Sequence, residues 1–134
     1  MTQEERQLLL KDLCARLPYG VMYETPYGPR VLNDIFIYSN GPVYTDHGVG
    51  NYNEVFGVEL ENIKPYLRPM SSMTEDERKY YNQLSLLVAD GECDAYEEID
   101  WLNAHHLDFR GLIEKGLALE ASEEMYKDIH TGLI

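Results

Sequence analysis

Basic residues are scarce in this chain: 11 Lys and Arg stand against 24 Asp and Glu, for a net charge of −13. A field of that sign repels phosphate backbones, and no basic stripe offsets it, so nucleic-acid binding is not expected and a basic protein surface is the favoured partner. Cysteine is nearly absent. Cys14 and Cys93 match no metal-ligand or redox spacing and would stay thiols in a reducing compartment; Cys14 is expected to be a small core residue. There is no apolar run long enough for a signal segment or a membrane span, and the start, MTQEERQLLLKDL, is charged from residue 4. A cytoplasmic protein without membrane contact is the expectation. Also missing are a Gly-rich phosphate loop, a nucleophile elbow, a basic-aromatic stripe, and any H-x-x-x-H or H-E-x-x-H pattern. No cofactor or metal is therefore expected.

What is present is enough apolar sequence, 44% of 134 residues, for one domain spanning 1–134 with its own core. Neither internal repeats nor low-complexity tracts interrupt it. Thr2 and Glu5 fit a capping box, and Leu9, Leu10, Leu13, Cys14 and Leu17 recur at helical spacing until Pro18 and Gly20 close the helix. From Tyr19 the period becomes two, with Tyr19, Val21, Tyr23 and Thr25 on one side of a strand that ends in a turn from Pro26 to Pro29. A strand is predicted over 31–39 and a return strand at 43–45, with Asn40-Gly41 turning a hairpin over 31–46; a further strand is expected near Glu54–Leu60. The fold class that follows is α+β: an N-terminal helix on a small antiparallel sheet of three or four strands, then two or three C-terminal helices. Residues 1–62 form the helix and sheet, 63–73 (IKPYLRPMSSM) a proline-rich connector that is neither regular helix nor central strand, and 74–134 an acidic helical part.

In that last part Thr74 and Glu77 make a second capping box, and Tyr80, Tyr81, Leu84, Leu87 and Val88 mark the buried face of the helix that follows. Charge is uneven: residues 1–70 hold 9 acids and 6 bases, whereas 71–134 hold 15 acids and 5 bases. Within it, DGECDAYEEID has an EF-hand-like start at Asp90, Glu92 and Asp94, but Ala95 stands at the glycine position and Trp101 at the bidentate position. Asp94 reads better as the cap of a third helix, with acids gathered where the helix dipole favours them.

DWLNAHHLDFRGLIEKG, 100–116, gathers carboxylates, imidazoles and guanidinium most densely. On a helix from about Ala95 to His106, Ile99, Leu102 and His106 share a sector beside Trp101 and His105, and adjacent histidines diverge too far to share one metal. Asp108 is placed to cap a short helix, with Leu107 and Leu112 as its hydrophobic staple, Gly116 as its terminator and Leu117 packing back. Arg110 would be held by Asp108 or Glu114, or bind a ligand. Tyr66, Arg68, Trp101, His105, His106 and Arg110 are the candidate contact residues. Seven tyrosines before residue 70 make the sheet a second candidate surface, or simply cover its half-buried face.

Three blocks, LLLKDLCARLPYGV, IKPYLRPMSSMTEDE and IDWLNAHHLDFRGLIEKGLALEA, resemble a family of small uncharacterised proteins encoded in gut anaerobic bacteria and their prophages or mobile elements. The resemblance covers both ends and the connector, leaves 22–62 aside, and implies an accessory role without naming a reaction or a catalytic residue. The expected function is a non-enzymatic accessory or protein-interaction protein. Two alternatives stand beside it: an acidic nucleic-acid mimic that inhibits a defence nuclease, and a small enzyme using His105, His106 or Arg110 in a pocket under the connector.

Overall fold

The structure, a computed structural model, describes residues 1–25, 28–37, 43–46 and 57–127. Helix α1, Gln3–Arg16, opens on the expected capping box, in which the Thr2 hydroxyl accepts from the Glu5 amide at 3.0 Å and the Glu5 carboxylate accepts from the Thr2 amide at 2.9 Å. Its buried side is Leu9, Asp12, Leu13 and Arg16, while Cys14 is exposed, contrary to expectation. The expected face holds for Leu9 and Leu13, but apolar periodicity alone does not place the polar Asp12 and Arg16 beside them.

Strands β1, Met22–Thr25, and β2, Gly28–Val31, pair antiparallel, so Gly28 and Pro29, expected in a turn, belong to a strand instead. Pro29 is tolerated there because β2 is an edge strand in its two-stranded sheet. The run expected as one strand over 31–39 is divided: Val31 ends β2, and β3 covers Asp34–Ile37. β3 pairs with β4, Val43–Asp46, as the hairpin reading requires, and β4 with β5, Gly57–Glu59. The strands thus make small separate sheets rather than one. Tyr27, Tyr38 and Tyr52 lie outside the described residues; Tyr23 is wholly buried in the core.

The connector departs most from its reading. Tyr66–Leu67 is a strand, β6, and pairs in parallel with β7, Leu119–Glu120. Isolated bridges extend it on either side, Pro65 to Tyr23 and Arg68 to Leu107. Prolines 65 and 69 bracket the segment rather than interrupt it. The residues between them keep their amides, and the Pro65 carbonyl still accepts from the Leu119 amide at 2.8 Å. Leu67 and Ile63 consequently join Leu9, Leu13, Leu60 and Leu112 in the core. Each such buried leucine contributes about 1.5–3 kcal/mol.

Helices α2, Glu75–Ala89, and α3, Ala95–Ala104, complete the α+β architecture. Both start as expected: α2 on the Thr74–Glu77 capping box, and α3 on Asp94, whose carboxylate accepts from the Tyr96 amide at 3.0 Å. Of the five α2 residues expected to be buried only Leu84 is, with Tyr80 52% and Leu87 37% exposed. No helix among the described residues is long and apolar enough to cross a membrane.

Candidate functional site

The segment after α3 is built from two consecutive Schellman endings. The Leu107 amide donates to the Leu102 carbonyl and the His106 amide to that of Asn103, each at 3.0 Å, which makes His106 the left-handed residue that closes α3, at φ 57°. Histidine enters that region more readily than most residues but pays for its Cβ. Here its side chain is fully buried and stacks on Tyr126, ring centroids 4.0 Å apart. Ten residues later the pattern recurs with glycine: Leu117 donates to Leu112, Gly116 to Ile113, and Gly116 has φ 74°. Asp108 caps this second unit, its oxygens accepting from the amides of Leu112 at 2.8 Å and Ile113 at 2.9 Å. The expected short helix is instead a series of turns, because Gly111 at φ 76° breaks the helical sequence of dihedrals.

Arg110 reaches neither Asp108 nor Glu114. It donates to Asp12 of α1 at 2.6 Å and to the Asn103 side chain at 3.2 Å, and its guanidinium lies 4.2 Å from the centre of the Phe109 ring. Asp12 also accepts from Arg16 Nε at 2.9 Å, and Arg16 Nη2 donates to the Leu107 carbonyl at 2.7 Å. One fully buried carboxylate therefore answers two guanidinium groups from opposite ends of the chain. Asp12 and Arg16 are the residues that sequence reasoning missed. Their only signal was two charged positions four apart on the same side of α1 as Leu9 and Leu13.

Tyr66 and Arg68 are anchored as well. The Tyr66 hydroxyl donates to Glu24, which together with burial raises its pKa, and its carbonyl accepts from the Tyr126 hydroxyl at 2.6 Å. Arg68 grips Glu77 with both terminal nitrogens, at 2.9 and 2.7 Å. Burial alone would raise the Glu77 pKa, but the hydrogen bonds from Arg68 and the Thr74 amide, with the Arg68 charge, bring it from 4.5 down to about 2. Because the folded value lies below the unfolded one, this contribution to stability is complete above about pH 4.5 and is lost as the pH falls toward 2. Urea midpoints measured across that window are expected to fall less steeply in Glu77→Gln than in the wild type; identical slopes would refute the assignment.

Trp101 is layered between helices. Tyr81 stacks on it at 5.8 Å, Tyr80 lies tilted at 5.5 Å, and His105 packs at 4.3 Å with Nδ1 2.9 Å from the Trp101 carbonyl. Beside this stack runs an open groove of about 570 Å³. Ala95, Glu98, Ile99 and Leu102 of α3 form one wall, Asp108, Phe109 and Gly111 the other, with Met70 and Tyr81 completing it. Of the candidate contact residues, none lines this groove: His106 is in the core, Arg110 is bound to Asp12, and His105 is stacked on Trp101. An imidazole and a guanidinium are thus not presented together to a ligand there. Among the described residues no group of three or more His, Cys, Asp or Glu side chains is placed to hold a metal ion. The calcium-like run at 90–101 is spent on the Asp94 cap and the first turn of α3.

Comparison with protein-family models, with curated proteins and with solved structures finds no match to this chain.

Proposed function

We propose that this chain is a non-enzymatic accessory protein that acts by protein–protein contact, through the layer formed by α2 and α3, on a partner with a basic surface. The observation that carries the reading is the exposure of large apolar side chains on those two helices: Leu86 is 65% exposed, Tyr96 72%, Tyr80 52% and Ile99 37%. Exposed apolar surface rimmed by polar residues is a feature of protein contact sites, and tyrosine is among the side chains that interfaces favour. The acids of 90–100, six with no base among them, set the sign of the partner. An origin in a bacterial or prophage genome rests on the resemblance of the three sequence blocks.

The test is affinity capture from a bacterial lysate with the wild type and with a Leu86→Ser/Tyr96→Ser double variant. Basic proteins retained by the wild type, released by raised salt and not retained by the variant are the expected result. Equal recovery on both baits, or none above background, overturns the reading.

A further inference from the structure

We infer that the groove along α3 takes a short basic amphipathic peptide, with a bulky apolar side chain seated against Leu102 and Phe109 and a lysine or arginine meeting Glu98. The inference rests on the proposed interaction role and gives it an address.

The wall contributed by α3 has the spacing i, i+3, i+4, i+7, so Ala95, Glu98, Ile99 and Leu102 form one continuous stripe about two turns long. Leu102 is 3% exposed and forms the apolar floor, whereas Ile99 stands at the edge, 37% exposed. Size alone would admit a small molecule, since such sites span roughly 300–1,000 Å³, but they bury most of the ligand's surface, and a groove this open does not. A peptide laid along the helix needs no such enclosure.

Charge selects among macromolecules. The lining holds two carboxylates, Glu98 and Asp108, and no cation. Each oxygen of Asp108 accepts a backbone amide, whereas neither oxygen of Glu98 is tied to the backbone among the described residues. Glu98 accepts from the Ser85 hydroxyl at 3.1 Å, and burial together with the neighbouring Glu98 carboxylate raises the Tyr81 pKa. The nearby guanidinium groups reduce the negative sign without reversing it: Arg68 is matched by Glu77, while Arg16 and Arg110 share Asp12 and leave one cation against the two lining carboxylates. A nucleic acid would meet carboxylates, and a second copy of this chain would bring its own excess of acid. A basic segment with apolar anchors answers both the floor and the rim.

The chain's one tryptophan supplies the readout, because Trp101 stacks on the groove residue Tyr81. The probe is a synthetic peptide with leucine and lysine at helical spacing, compared with versions carrying glutamate for lysine or serine for leucine. Only the leucine–lysine peptide is expected to bind the full chain and to change Trp101 emission. Glu98→Lys should weaken it by at least about tenfold, whereas Glu123→Lys, with the same net charge but away from the groove, should leave affinity within about twofold. Ala95→Lys, at an exposed lining position on the first residue of α3, is a second probe of the groove, and circular dichroism checks that each variant is folded.

Absence of binding, or equal weakening by Glu98→Lys and Glu123→Lys, overturns the groove assignment. If lysate capture still depends on Leu86 and Tyr96, the interaction role survives that failure. Peptide binding that passes every control while capture fails would instead leave the groove and sink the role.

Discussion

Replacing Asp12 with alanine is expected to destabilise the protein by about 3–5 kcal/mol, read from urea unfolding, because it leaves the fully buried Arg16 and the largely buried Arg110 without their shared carboxylate. Arg16 has no exposed surface and one of its terminal nitrogens, Nη1, makes no hydrogen bond even with Asp12 present. A loss of that size is a large fraction of the 5–15 kcal/mol typical of a domain. The companion variant separates the charge from its position. Asp12→Leu combined with Arg16→Met and Arg110→Met removes the whole network and should cost less than Asp12→Ala alone, since a desolvated ion pair adds little net stability over well-packed apolar groups. A single variant within about 1 kcal/mol of the wild type would show that Asp12 does not carry the charge balance of the core.

Tyr126→Ala carries the second large effect, about 3–5 kcal/mol from the lost ring, in the range of buried Phe or Trp truncations. The ring is 2% exposed and stacked on His106, and its hydroxyl accepts from the Met22 amide at 2.9 Å while donating to the Tyr66 carbonyl. Tyr126→Phe keeps the ring and strands those two backbone groups, at about 1–3 kcal/mol. The two variants should therefore differ measurably in urea midpoint. Equal midpoints would mean that the ring contributes nothing beyond the hydroxyl.

Sequence patterns were most informative where the controlling interactions are local. The caps at Thr2, Thr74, Asp94 and Asp108, the Gly116 ending and the pairing of β3 with β4 all depend on residues a few positions apart, and each could be read from those residues, although the Asn40-Gly41 turn lies outside the described residues. The inward side of α1 could not, because Asp12 and Arg16 are stabilised inside by groups nearly a hundred residues away. The same holds for the connector: Pro65 and Pro69 argue locally against a regular helix or a central strand, and the short strand between them depends on β7 and the bridges to Tyr23 and Leu107. His106 could be placed beside Ile99 and Leu102 from its spacing but not recognised as the left-handed ending of α3, because glycine is the usual residue there. In 100–116 the chemically able side chains are mostly tied into the fold, while the groove beside them is lined by Ala95, Ile99, Leu102 and Phe109, residue types that draw no notice in a search for reactive groups.

The meeting of Met22, Tyr66 and Tyr126 at one hydroxyl also dictates an order of events during synthesis. The N-terminal helix and hairpins emerge from the ribosome first, but β6 lacks its β7 neighbour until residue 120 is available, and the β1–β6 seam is not sealed until residue 126 follows. A core closed by contacts this distant in sequence pays its loop-closure entropy late and folds more slowly than its helical content suggests.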